Sequence, residues 1–245
     1  MKKEITPKKN RLYIFLLLVF IGGFLGGFVH EFRGGVFSNA QTGNVIRLGI
    51  ALCNDEWQTA AHCAISFCAY VTGAFLCELA IGKRLSVGPL RWETIFTGLA
   101  TLTLCVLSLV PDSASFILTQ IPVNFIAVMQ YNTFRKVDIE RLPPEHRKID
   151  QVGMSTTFCT NHVRNIGVSL EKLAQTGEPI YACQAAAHFG MVLSFGLGVV
   201  SSVLLGRRFG ARSLLLTAAL MAFICMELAR DDAGAAVAAG RREKA

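Results

Sequence analysis

Two short polar stretches interrupt an otherwise apolar chain, and each gathers residue types that bind small polar or charged groups. The first is Thr42-Gly43-Asn44 with Arg47, in "SNAQTGNVIRLG"; the second is Thr160-Asn161-His162 with Arg164 and Asn165, in "FCTNHVRNIG". Threonine and asparagine can cap the free N–H groups that open a helix, and glycine permits a tight approach to that end. A helix start in a low-dielectric setting presents unpaired donors and positive partial charge, which suits an anion or carboxylate, and an arginine one turn on would reinforce it. The same residues also fit a purely structural role, as buried caps that hold two broken helices together.

A further constellation lies between Phe116 and Phe134. Gln120 and Asn124 share a helix face at i and i+4, Pro122 sits between them, and Gln130 and Asn132 follow. Amides in an apolar helix are costly unless they face protein or a wet cavity, and proline removes a ladder bond, so an interior polar cavity is favoured over packing alone. His62 and His188 lie near the starts of two apolar runs with no third ligand close by, so no metal is expected. The eight cysteines include no C-x-x-C pair and six lie inside apolar runs, where they read as packing residues. There is no G-x-S-x-G elbow, H-E-x-x-H helix, phosphate loop or paired intramembrane carboxylates, so neither an enzyme nor a cofactor is expected.

The elements that must position these residues are long uncharged runs. Of 245 residues, 52% are hydrophobic and 17% charged, against about a quarter charged in soluble domains. Six runs, Leu12–Val29, Thr59–Cys77, Thr94–Val110, Phe116–Phe134, Ile180–Leu205 and Ser213–Met226, approach the length of a helical membrane crossing, the last being short. The expected fold is therefore all-α and polytopic, with about six transmembrane helices. The first run reads as a retained span, because His30, Glu31 and Arg33 separate it from the cleavage-like Ser38-Asn39-Ala40 and more runs follow.

The net charge of +7 is spread between the runs, which argues for topology and against nucleic acid. With a cytoplasmic N-terminus, all of the 24 basic residues fall inside except Arg33, Arg47, Arg207, Arg208 and Arg212. The last three break the positive-inside pattern.

An internal repeat accounts for them. "NAQTGNVIRLGIAL" aligns without a gap on "TFCTNHVRNIGVSL", matching Thr42 with Thr160, Val45 with Val163, Gly49 with Gly167 and Leu52 with Leu170. Phe32-Arg33 and Phe134-Arg135 precede the two copies, and Ala60-Ala61-His62 and Ala186-Ala187-His188 follow them. Two halves of three spans, residues 12–110 and 116–228, must then face opposite ways, an inverted-repeat design characteristic of secondary transporters. The copy of the inner Lys83-Arg84 becomes the outer Arg207-Arg208. Residues 1–230 thus form a single membrane domain. The segment 136–152 reads as a cytoplasmic excursion, and 231–245 as a disordered tail.

At "RGGVFSNAQTGNVIRLGIAL" and "QYNTFRKV…MSTTFCTNHVRNIG" the chain resembles the YoaK-like family of bacterial inner-membrane proteins, classed by a domain of unknown function, over residues 12–228. Its most specific marks are Thr42-Gly43-Asn44 and the "FRKV" that leads to Thr156-Thr157-Phe158-Cys159-Thr160. Where the family repeats Thr-Gly-Asn this chain has Thr160-Asn161-His162, and its linker after "FRKV" is longer. The resemblance implies an inner-membrane protein of about six helices and no particular reaction.

The functional expectation is a transporter or channel for a small solute, an anion among the candidates, held where the two motifs meet. The other class is a non-transporting scaffold or regulatory subunit whose basic loop, Arg135 to Lys148, engages a cytoplasmic partner. The expected partners are the bilayer and a small solute. Gly22, Gly23, Gly26 and Gly27 fit packing inside the monomer and also homo-oligomerisation through the first helix.

Overall fold

A computed structural model describes residues 12–83, 85–115, 117–134, 136–138, 151–153 and 159–243. Among the described residues the chain is helical apart from two small antiparallel strand pairs. The helices are α1 (Leu12–Phe32), α2 (Gln41–Cys53), α3 (Trp57–Gly82), α4 (Trp92–Leu107), α5 (Ile117–Thr133), α6 (Cys159–Thr176), α7 (Pro179–Phe209) and α8 (Leu214–Glu243). Antiparallel β1 (Ser86–Val87) and β2 (Leu90–Arg91) join α3 to α4, and β3 (Lys136–Asp138) pairs with β4 (Gln151–Gly153). Each apolar run has become a helix. Among the described residues three helical stretches are long and apolar enough to cross a membrane: α1, α3 and Pro179–Ala238, which holds α7 and most of α8. Helix α4 is apolar but has 16 residues.

Most of the 136–152 excursion, with Arg135 and Thr156 to Phe158 of the family motif, lies outside the described residues. The tail departs from expectation, because α8 continues through Asp231 and Asp232 to Glu243. Its "AGAAVAAG" is alanine-rich, and alanine is the strongest helix former. Composition suggested disorder; local propensity and a buried contact at Asp232 favour the helix.

Helix α1 is the hub. Phe15, Leu18, Ile21, Phe24, Leu25 and Phe28 are all buried, and α1 packs on α7, α8 and α5. Two thirds of its apolar window is inside the protein (67%), against 22% for α3 and for the α7–α8 run. Two of its glycines face α7. A Cβ at Gly23 would strike the Phe195 carbonyl, one at Gly27 would meet Ser202, and one at Gly198 would strike the Phe20 carbonyl. Gly23 and Gly27 therefore take part in packing within the chain.

The contacts also fix helix directions. Leu16 meets Ser194, Gly27 meets Val199 and Ser202, and Phe32 meets Gly206, so α1 and α7 run parallel. Gln120 meets His62, Asn124 meets Ser66, and Thr133 meets Cys77, so α5 and α3 also run parallel. Helices α4 and α8 are antiparallel, and each closes the other's start. The Ala211 N–H donates to Asp112 Oδ1 at 3.1 Å, and the Arg91 N–H donates to Asp232 Oδ2 at 3.1 Å. Each carboxylate has a cation. Arg33 Nη2 lies 2.9 Å from Asp112 Oδ1, and Arg91 Nε 3.3 Å from Asp232 Oδ1. Between α7 and α8 the chain breaks at Gly210, whose φ of +57° suits glycine and whose missing Cβ leaves room for Asp112.

Outside this core the helices are apolar. Phe189, Leu193, Leu197, Val200 and Leu204 make an exposed stripe along α7, and Phe67, Val71 and Phe75 another on α3. Such continuous exposure is far beyond the scattered apolar residues of a soluble surface and marks a face that meets lipid or protein.

Candidate functional site

Helix α2 begins after Ala40, and no side chain caps it. This corrects the expectation that Thr42 or Asn44 would do so: Thr42 is exposed in the first turn, and Asn44 turns back on the preceding loop. Its Oδ1 accepts the Phe37 N–H at 2.8 Å while its Nδ2 donates to the Phe37 carbonyl at 2.6 Å. The side chain thus pairs with residue 37 as a neighbouring strand would. Gly43 serves the same loop, since a Cβ there would press on the Phe37 ring.

Asn44 Nδ2 also donates to Ser66 Oγ of α3, at 3.0 Å. Ser66 is a hub. Its hydroxyl lies 3.3 Å from the Phe37 carbonyl and accepts a second donor, Asn124 Nδ2 of α5, at 2.9 Å. One turn earlier on both helices, Gln120 Nε2 donates to the His62 carbonyl at 2.9 Å. The i, i+4 pair Gln120 and Asn124 therefore steps along the i, i+4 pair His62 and Ser66, with Asn44 closing one end. All three amide side chains are 0–1% exposed. Asn44 is fully engaged, whereas Gln120 Oε1 and Asn124 Oδ1 have no partner, nor do the buried hydroxyls of Ser38 and Thr119. Each such group costs about 1–3 kcal/mol unless something else meets it.

On α6, His162, the residue that the sequence alignment sets against Asn44, meets a histidine of α7. The Nδ1 atoms of His162 and His188 lie 2.9 Å apart, both residues 1% exposed. One of the two must donate, so at this contact the pair shares a single proton. His188 is thus engaged by His162 of the neighbouring α6.

The remaining motif residues do not converge. Arg47 is half-buried with its guanidinium against Gly35, Arg164 and Thr160 are exposed, and Asn161 and Asn165 are half-buried. Helix α2 packs on α3 and α6 on α7, and the two motif helices do not form one of the principal packings. The hydrogen bonds join Asn44 to Asn124 through Ser66, with Gln120 one turn away on α5, and the α6 motif residues lie outside this network. Ser66 escaped the sequence reading; its signal was a lone small polar residue four positions after His62, matching the spacing of the amides opposite. Among the described residues no three His, Cys, Asp or Glu side chains come together as a metal would need. Burial pushes the Cys159 thiol up to about 11, so at the start of α6 it stays protonated and slow to react at neutral pH.

An all-helical protein with apolar flanks, a glycine-packed central helix and amides in its interior belongs to the class of membrane-like helical proteins. Within that class the chain belongs to the DUF1275 family, described as a protein of unknown function, which it matches over residues 14–226. No curated protein and no solved structure matches it.

Proposed function

We propose that the protein is a bacterial inner-membrane transporter or channel for a small solute, with six spans in two inverted halves, a cytoplasmic N-terminus and a path past Gln120 and Asn124. One observation carries the path: two fully buried amide side chains in the same helix each spend their N–H on α3 and leave a carbonyl oxygen unpaired. Packing alone gives no reason for such oxygens. A wet or ligand-bearing interior does.

The two-half reading draws support from helix pairing. Exchanging α1 with α5, α2 with α6, α3 with α7 and α4 with α8 turns the α1–α7 pair into α5–α3, turns α2–α3 into α6–α7, and returns α4–α8 to itself. The caps obey the same exchange, because Arg91 and Asp112 each stand 120 places before Ala211 and Asp232. Parallel α1–α7, parallel α3–α5 and antiparallel α4–α8 are the directions that six alternating spans require. The narrower YoaK-like assignment, carried by Thr42-Gly43-Asn44, belongs with this proposal.

Thiol access provides the test. In a background with the exposed Cys53, Cys68 and Cys183 replaced, a water-soluble thiol reagent should label cysteine introduced at position 44 or 124. A dry scaffold would leave both unlabelled, and the path would then be abandoned.

A further inference from the structure

We infer that Gln120 and Asn124 bind a small neutral solute that presents N–H or O–H donors, in preference to an anion or a metal cation; this rests on the reading of the chain as a solute path. The orientation of both amides is fixed by what they face. Gln120 Nε2 lies 2.9 Å from the His62 carbonyl, which can only accept, so the NH2 must point there and Oε1 away. Asn124 Nδ2 faces the Ser66 carbonyl at 3.4 Å as well as Ser66 Oγ at 2.9 Å, and the same reasoning turns its Oδ1 away. Both oxygens end without a partner, in side chains 0% exposed.

What remains unpaired decides the ligand. An anion is repelled by lone pairs, and the amide atoms left unpaired are the carbonyl oxygens of Gln120 and Asn124; the N–H groups of Asn44 and Asn124 are committed to α3 and to the Phe37 loop, and Gln120 gives one of its two to the His62 carbonyl. A bare cation needs compensating charge, and the network of Gln41, Asn44, Ser66, Gln120 and Asn124 contains no carboxylate. Helix α2, which delivers Asn44, also carries Arg47, whose charge repels a cation. Two unpaired acceptor oxygens, on side chains one turn apart on the same face of α5, match a molecule rich in donors. Urea and glycerol have that chemistry.

The test uses the full chain in liposomes and measures urea, glycerol, chloride and sodium permeation by stopped flow. Urea or glycerol should permeate at least about tenfold faster than through empty liposomes, and Gln120→Leu and Asn124→Leu should each lower that rate by about tenfold, the cost of one lost polar contact. Chloride and sodium should match the empty liposomes. If an ion permeates while both neutral probes do not, the inference falls and the path stands. If no probe permeates and position 124 resists the thiol reagent, the path falls too. Neutral flux unchanged in both leucine variants would also overturn the assignment to these side chains. The comparison of probes on the unsubstituted protein needs no variant to fold.

Discussion

Ser66 shows how one hydroxyl can hold three elements together. It accepts N–H groups from Asn44 on α2 and Asn124 on α5, and lies within reach of the Phe37 carbonyl of the intervening loop. Ser66→Ala removes only an oxygen, but it leaves Asn124 with a long contact to the Ser66 carbonyl and cuts the bond from Asn44 to α3. The expected loss is about 1–3 kcal/mol, read as a lower unfolding temperature in detergent. Thr72→Ala should cost far less, because Thr72 is exposed and its hydroxyl only returns to the Cys68 carbonyl in its own helix. Equal losses would mean that Ser66 is not a hub. At this scale the sequence was partly legible. Asn44, Gln120 and Asn124 were recognisable because amides are out of place in apolar runs, but their partners were not, since two of the bonds are to backbone carbonyls that no side-chain pattern reveals.

Between elements, ion pairs lie at unequal depth: the α4–α8 contact carries a buried one and the α1–α7 contact an exposed one. Asp232 has a side chain 0% exposed and receives Arg91 N–H, Thr94 Oγ1–H and the Arg91 guanidinium, whereas Arg207 and Glu31 are 67% and 39% exposed. Removing one partner of a buried pair costs about 3–5 kcal/mol, and an exposed pair contributes about 0–1 kcal/mol. Asp232→Asn should therefore lower the unfolding temperature sharply and free the end of α8 for proteolysis, while Glu31→Gln leaves both unchanged. A resistant α8 in Asp232→Asn would show that propensity alone holds that helix. The six helices of the apolar runs were legible to within a few residues, apart from the long extension of α8. Its docking was hidden because Asp232 and Arg91 lie 141 residues apart and the small-residue composition around Asp232 resembles that of a linker. The glycines of α1 were legible as a close-packing face, but not which helix would fill it. Gly23→Val should settle the strength of that choice: a Cβ pressed against the Phe195 carbonyl cannot be relieved by a rotamer change, so α1 and α7 must part and little folded protein should be recovered from the membrane.

For the whole molecule, the proposed alternating six-span arrangement turns on α4. Its 16 residues make a helix of only about 24 Å, shorter than the roughly 30 Å hydrocarbon layer. Two features make a crossing workable nonetheless. Ser108 to Val110 continue the apolar run beyond the helix end, and α8, which runs alongside in the opposite direction, is a 30-residue helix whose buried Thr217, Met221 and Ile224 contribute to the shared interior. A short helix sheltered by a long neighbour can be accommodated by local thinning of the bilayer at modest cost. The consequence is measurable from the two ends of α4. Val87 in the β1–β2 hairpin is 62% exposed and Leu109 after α4 is 81% exposed, so cysteines placed there are both reachable by solvent. In intact cells a membrane-impermeant thiol reagent should label position 109, and it should label position 87 only after the membrane is permeabilised. Should both positions react from the same side, α4 does not cross, the halves no longer have three spans each, and the inversion that relates Asp112 to Asp232 loses its basis.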